Sequence, residues 1–504
     1  EAFPGAMAYL AAMIRPIRIA TLAVLCAGCA REPPDIEPIS PTPSAEQIRY
    51  QEMELAGFIH FSINTFTDRE WGFGDESPDL FAPTDLDVDQ WARVAAEAGM
   101  GELILTTKHH DGFCLWPSGT TDHTVAQSPW RGGEGDLVGE FAEAARRNGL
   151  QVGLYLSPWD RNHPDYGSPE YLEAYRAQLR ELLSGYGDIN EIWVDGANGG
   201  TGFYGGANEE RRIDRRTYYQ WPETMALVKE LQPSTLIFSD AGPDIRWIGN
   251  ERGFAGLTNW STINTRDIVI GEADVEYLNS GDPAGEDWVV PLCDTSIRPG
   301  WFYHPDQDEA VKSPQELVDL YYRSVGRNCV LLLNIPPDRR GRFHDHDVRS
   351  LMEFRRILDE TFADDLAHGA RTEATSWRLG HPKFAPANVV DGDPGSYWAA
   401  GEGVTEATVE ILLDGEVDFD RILLQEPIRF GQRVSSFSVE AGLQGEWTEI
   451  SAGTTIGYKR LLRVSPVRAD GVRILIHGAL APPALSTVGV YKASPDEPSW
   501  TTGG

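Results

Sequence analysis

From Gly57 to Asn334 the chain alternates short apolar runs with longer amphipathic stretches, and this alternation constrains the fold more than any single motif. The runs Gly57–Asn64, Leu103–Lys108, Val152–Ser157, Glu191–Asp195, Thr235–Asp240 and Val330–Asn334 read as buried strands. Between them Val88–Ala98, Leu137–Asn148, Pro169–Ser184, Pro222–Leu231 and Pro314–Val325 carry helical spacing. Strand and helix in regular alternation imply parallel β-α units, and closing those units into a (β/α)8-like TIM barrel leaves no exposed strand edge. An open doubly wound sheet is the alternative, but neither GxGxxG nor a P-loop is present.

After the helical stretch His344–Glu360 the period changes. From about Thr372 short strand patterns separated by turn signals take over, at Ala407–Leu413, Arg421–Gln425, Ser436–Glu440, Arg460–Val464 and Val472–Ile476. This is the pattern of an all-β sandwich of jelly-roll type. The expected organisation is a signal region at 1–29, a linker at 30–46, an α/β barrel at 47–366, a sandwich at 370–493 and a disordered tail at 494–504.

At the amino end, Arg15 and Arg18 precede the apolar run Ile19–Gly28, too short to span a bilayer and suited to a signal-peptide core. Leu25-Cys26-Ala27-Gly28-Cys29 resembles a bacterial lipobox with Cys26 where leucine is usual, so Cys29 is the expected lipidation site. The expected destination is the periplasm or outer membrane of a bacterium, with membrane contact only through that anchor. Cys114, Cys293 and Cys329 then remain, too scattered for a disulfide framework or a zinc site. With 77 acidic against 43 basic residues, the formal charge of −34 argues against nucleic acid as a partner.

In a barrel, catalytic groups gather where strands end at their carboxyl side. Here polar residues do cluster at those points: His60 after the first run, with Glu70-Trp71 in the next loop; Lys108-His109-His110-Asp111 after the second; Ser157-Pro-Trp159 after the third; and Asp195 after Ile192-Trp-Val194. Adjacent histidines on a strand would face opposite ways, which argues against a metal at His109 and His110. Imidazoles, Glu70, Trp71 and Trp159 suit a sugar, whose hydroxyls need donors and acceptors and whose apolar face packs on an aromatic ring. A retaining glycosidase needs a second carboxylate beside Asp195. Asp240, Asp244 and Glu251 all follow the fifth run, and spacing alone does not choose among them. Arg246 and Trp247 are expected to pair with and desolvate the acids nearby.

The motifs Gly57-Phe-Ile-His60-Phe, Glu70-Trp71, His109-His110-Asp111-Gly112-Phe113, Trp193-Val-Asp195-Gly196 and Asn328-Cys-Val-Leu-Leu-Leu-Asn-Ile-Pro-Pro337 together resemble α-L-fucosidases of glycoside hydrolase family 29. The resemblance spans about residues 50–365. It implies that Asp195 is the nucleophile and that His60, His109, His110, Glu70 and Trp71 hold fucose. The loop Gly242–Glu251 resembles the branch preferring α-1,3- and α-1,4-linked fucose, which implies Glu251 as general acid/base. Arg298 and Trp301 are further, more loosely matched binding candidates. Ala374–Trp377, Ala387–Asp393, Ser396–Trp398 and Val488–Tyr491 resemble discoidin-like, coagulation-factor type C modules related to family 32 carbohydrate-binding modules. That resemblance implies Asp391 as a possible ligand for a structural calcium, although Val488-Gly489 stands where an acidic residue is usual. No cofactor is required, and fucosylated oligosaccharides are the expected partners. Two other readings stay open, a retaining glycosidase for another sugar and an inactive glycan-binding lipoprotein.

Overall fold

The structure, a computed structural model, describes residues 32–497, so the leader with Cys29 and residues 498–504 lie outside the described residues. Eight strands form a closed, all-parallel barrel in sequence order: β1 Leu55–Ile59, β2 Glu102–Lys108, β3 Gln151–Leu156, β4 Glu191–Trp193, β5 Leu236–Ser239, β6 Ile245–Trp247, β7 Val290–Ser296 and β8 Val330–Asn334. Parallel strands covered on both faces read as continuous apolar runs. Alternate residues nevertheless have separate destinations. Ala56, Phe58, Tyr155, Trp193, Phe238, Leu292 and Leu332 fill the lumen, while Leu55, Ile59, Leu154, Ile192, Ile237 and Leu333 pack under the surrounding helices.

Two barrel strands escaped the sequence reading. Ile245–Trp247 is too short to show a period, and Val290–Ser296 is interrupted by Pro291 and Asp294. No helix separates β5 from β6, because β6 begins opposite the end of β5, with Phe238 beside Ile245. The short link at 240–244 therefore suffices, and it leaves Asp240 at the barrel mouth.

The expected spacer at 30–46 is instead an ordered strap from Ile36 onward. Ile36 is buried with Phe384, Tyr397 and Phe430, and the Ile39 N–H donates to the Phe430 carbonyl at 3.1 Å. Isolated apolar residues in an extended, proline-rich strap have no period to detect. Ser44 and Gln47 then form a capping box for the helix Ala45–Met53, which plugs the lower end of the barrel and sends Tyr50 into the lumen.

The second domain is an antiparallel sandwich of β9 Arg371–Ala374, β10 Ala407–Gln425, β11 Val434–Leu443, β12 Glu446–Gly453, β13 Arg460–Ala479 and β14 Thr487–Tyr491. Four of the expected strands are halves of two long ones, since β10 and β13 each run through a bulge in their shared register between Leu412 and Val417. The part of the expected disordered tail that is described, Ser494 to Glu497, is anchored. Ser494 donates its N–H to Thr361, and Glu497 is buried against Arg421 at 2.9 Å. In the Asp391 turn both carboxylate oxygens are occupied, by the Asp393 N–H and the Ser396 hydroxyl. No group of three or more His, Cys, Asp or Glu poised for a metal occurs among the described residues. No helix among them is long and apolar enough to cross a membrane.

Candidate active site

The strand ends converge on a cavity of about 360 Å³, lined by Phe58, His60, Glu70, Trp71, His109, His110, Tyr155, Trp193, Asp195, Asp240, Trp247, Glu251, Glu272, Asp294 and Trp301, among others. β4 closes at Trp193, but the Val194 N–H still donates to the Phe238 carbonyl at 3.0 Å, which holds Asp195 at the rim. One Asp195 oxygen accepts from the Tyr155 hydroxyl at 3.0 Å and the other from the Ala197 N–H at 2.6 Å. The carboxylate is thus aimed by two donors, and His110 Nε2 lies 3.9 Å away.

The imidazoles are neutral acceptors. His60 Nδ1 is 2.8 Å from Asn334 Oδ1, and the Asn334 amide nitrogen is spent on the Trp301 carbonyl and the Ser296 hydroxyl. The proton therefore sits on Nδ1, leaving Nε2 as the free acceptor. His110 follows the same logic, because the Ser157 hydroxyl donates to the Trp159 carbonyl and so accepts from His110 Nδ1 at 2.8 Å. Burial pushes His60 down to about 3 and lowers His109 and His110 as well. The two adjacent histidines do not face opposite ways as strand geometry implied. β2 stops at Lys108, the chain turns, and both rings line the cavity with centroids 4.1 Å apart.

Among the downstream acids the structure separates the three candidates. Asp244 points away from the cavity into an ion pair with Lys229 at 2.7 Å. Asp240 lies beneath the chain beside Asp195, so close that a β-carbon on Gly196 would meet its Oδ2 at 2.7 Å, and it accepts from the Gly271 N–H. Burial raises it to about 6. Glu251 stands at the mouth, where the Trp301 indole N–H reaches its Oε2 at 3.3 Å. Desolvation by the surrounding protein pushes its carboxyl up, opposed by that indole and reinforced by the charges of Asp195 and Glu70. Glu70 accepts from the main-chain N–H groups of Trp301 and Phe302, and Trp71 is the exposed aromatic wall, 53% accessible and edge-on to His110.

Three expectations fail on position. Arg298 does not reach the cavity; it is buried between Asp347, at 3.0 Å, and Asp308, at 2.9 Å, beneath the loop that carries Trp301. Trp159 lies behind His110, tilted against it with ring centroids 5.3 Å apart and its indole donating to Tyr204, rather than lining the pocket. Arg246 touches no acid. It is fully buried and donates to the carbonyls of Leu278, Val289 and Trp260 and to the Asn259 side chain. Trp247 does meet an acid, Asp294, at 2.9 Å.

Tyr155, Asp294 and Glu272 were missed. Tyr155 was legible in principle, two positions before Ser157 on a strand where alternate residues share a face. Asp294 sits in a strand not recognised as one, and burial pushes its carboxyl well up in the cavity wall. Glu272 belongs to a loop with no pattern of its own.

Residues 43–360 match the family model described as alpha-L-fucosidase, and residues 371–485 match the F5/8 type C domain. The chain is 47% identical over 470 residues to the putative alpha-L-fucosidase 1 of Oryza sativa subsp. japonica, an alignment covering 93% of this chain and 88% of that one. A glycoside hydrolase 29 family member from an unknown rumen bacterium superposes with a TM-score of 0.82 at 44% identity, over 92% of this chain and 79% of that one. A Ruminococcus gnavus GH29 fucosidase solved in complex with fucose gives a TM-score of 0.81 at 33% identity, over 92% and 98% of the two chains. With its barrel matched along nearly its whole length and its sandwich matched separately, the chain belongs to the α-L-fucosidases of glycoside hydrolase family 29 and carries a C-terminal discoidin-like domain.

Proposed function

We propose that the protein is a retaining exo-α-L-fucosidase that removes terminal α-1,3- or α-1,4-linked fucose from glycans, with Asp195 as nucleophile and Glu251 as general acid/base. The observation that carries the reading is the unequal treatment of two carboxyls in one cavity. Asp195 is fixed by two donors, whereas Glu251 is desolvated and meets only an indole N–H at 3.3 Å. Two carboxyls treated this unequally, one held by donors and one desolvated, suit the separate roles of nucleophile and general acid.

Asp195 attacks the anomeric carbon while Glu251 gives its proton to the departing glycosidic oxygen, forming a fucosyl ester and releasing the shortened glycan. Glu251, now ionised, takes a proton from the water that attacks the same carbon, and the ester bond to Asp195 breaks. Neutral His60 and His110 present lone pairs to sugar hydroxyls, Glu70 accepts further hydroxyls, and Trp71 offers an apolar wall. Glu251 stands at the mouth of a cavity of about 360 Å³, which supports attack at a chain end. Hydrolysis of α-1,3-, α-1,4-, α-1,2- and α-1,6-linked fucosyl oligosaccharides, compared with an aryl α-L-fucoside, tests the reading. Turnover of the first two linkages well above the others is expected, and equal turnover of all four would remove the linkage assignment.

A further inference from the structure

His304 lies outside the cavity, yet it bridges two carboxylates on the opposite loop. Its Nε2 is 2.7 Å from Glu70 Oε1 and its Nδ1 is 2.9 Å from Asp68 Oδ1. Ionised carboxylates only accept, so both ring nitrogens must carry hydrogen for both contacts to form. Asp68 closes the short helix Ile63–Thr67 in a left-handed conformation, and Arg339 stands 3.8 Å from its carboxylate. Glu70 also takes the N–H groups of Trp301, at 2.8 Å, and Phe302, at 3.1 Å, from the loop that carries His304. The Trp301 indole in turn reaches Glu251. One hydrogen-bonded path thus runs from Asp68 through His304, Glu70 and Trp301 to Glu251.

We infer that His304, as an imidazolium, is a positioning residue that locks Glu70 onto the Trp301 loop, so that the sugar-holding acid and the mouth of the pocket keep one geometry. This assignment rests on the proposed role of Glu70 in holding the sugar. The charged groups facing the ring are Asp68 and Glu70, with Arg339 behind Asp68. Partial burial opposes the charged ring, but the bonds to Glu70 and Asp68 outweigh it and raise His304 above its ordinary 6.5. The clamp is therefore complete below about pH 6.5 and is lost as pH rises through the raised value.

Two readouts test the clamp between pH 5 and 9. The first is KM and kcat on an aryl α-L-fucoside for the wild type, His304→Ala and His304→Gln. In the wild type KM should rise with pH through the imidazole titration while kcat changes less. His304→Ala should raise KM about tenfold at pH 5.5, the loss expected of one hydrogen bond to a charged group, and should flatten its pH dependence. His304→Gln, which keeps one neutral donor, should recover part of the affinity, again without the pH dependence. The second readout needs no turnover: the NMR titration of the His304 ring, assigned by its loss in His304→Gln, should lie above 6.5 and fall in Glu70→Gln. A His304 titration at or below 6.5, or one unmoved by Glu70→Gln, overturns the clamp, as does a His304→Ala enzyme with the wild-type KM profile. A wild type that titrates as expected but hydrolyses no fucoside leaves the clamp standing and sinks the fucosidase reading.

Discussion

The two ends of this barrel each gather carboxyls, and they are built in opposite ways. At the mouth, Asp195 has a hydroxyl and an amide donor, Glu251 has an indole, and an open cavity adjoins both. At the floor, Glu102 and Glu191 are fully buried, no ion pair among the described residues reaches either, and their polar neighbours are the Asn190 side chain and the Tyr50 hydroxyl. Gly153 on β3 lies between their strands and leaves room for Glu102, while the helix Ala45–Met53 seals them from below. Burial pushes Glu102 up to about 8 and Glu191 well above the carboxylate range. In the proposed mechanism the same residue type in the same barrel is therefore a reagent at one end and a neutral filler at the other. Donors and solvent make the difference, in line with the division of such barrels into a catalytic face and a stability face.

Breaking the mouth should have the largest effect. Asp195→Ala should lower kcat by on the order of 10^4-fold or more on every fucoside, because it removes the carboxylate proposed to form the ester. Glu251→Ala should cost about 10^2- to 10^4-fold on a natural glycosidic linkage and far less on an aryl fucoside whose leaving group needs little protonation. Comparable losses on both substrates would shift the acid role to Asp240 or Asp294. Tyr155→Phe removes one of the two donors to Asp195 and should cost about tenfold to a hundredfold in kcat/KM, with the fold intact by circular dichroism.

The floor should respond in stability alone. The folded state holds protons on Glu102 and Glu191 that the unfolded chain releases near 4.5, so stability should fall as pH rises from about 4.5 through the folded value near 8. Glu102→Gln removes that burden and should reduce the drop in Tm between pH 6 and pH 9 by several degrees, with kcat at neutral pH unchanged. A soluble Glu102→Gln protein that loses activity would erase the contrast between the two ends.

What could be read without coordinates follows the same physics. Strands that hold an unbroken apolar run, such as Leu103-Ile-Leu105 and Val330-Leu-Leu-Leu333, announce themselves, and the polar residues just beyond them mark the mouth. Val290–Ser296 did not, because Pro291 and the cavity-facing Asp294 interrupt the apolar run for the sake of the site. Arg298 was misplaced because a conspicuous charge beside site residues can equally anchor their loop from behind, here through Asp308 and Asp347. His109 and His110 share one cavity because the strand ends at Lys108, where its run in the sequence also ends, and strand alternation does not extend to the turn beyond it. The strap from Ile36 and the contacts of Glu497 are single anchoring interactions, which leave no repeating pattern in the chain.

The most direct test of which carboxyl is the reagent is to trap the glycosyl ester. The protein would be incubated with 2-deoxy-2-fluoro-α-L-fucosyl fluoride, whose fluorine slows breakdown of the intermediate, then digested and read by peptide mass spectrometry. One fucosyl adduct on Asp195 is the predicted result; an adduct on Asp240, Glu251 or Asp294 instead would contradict the account.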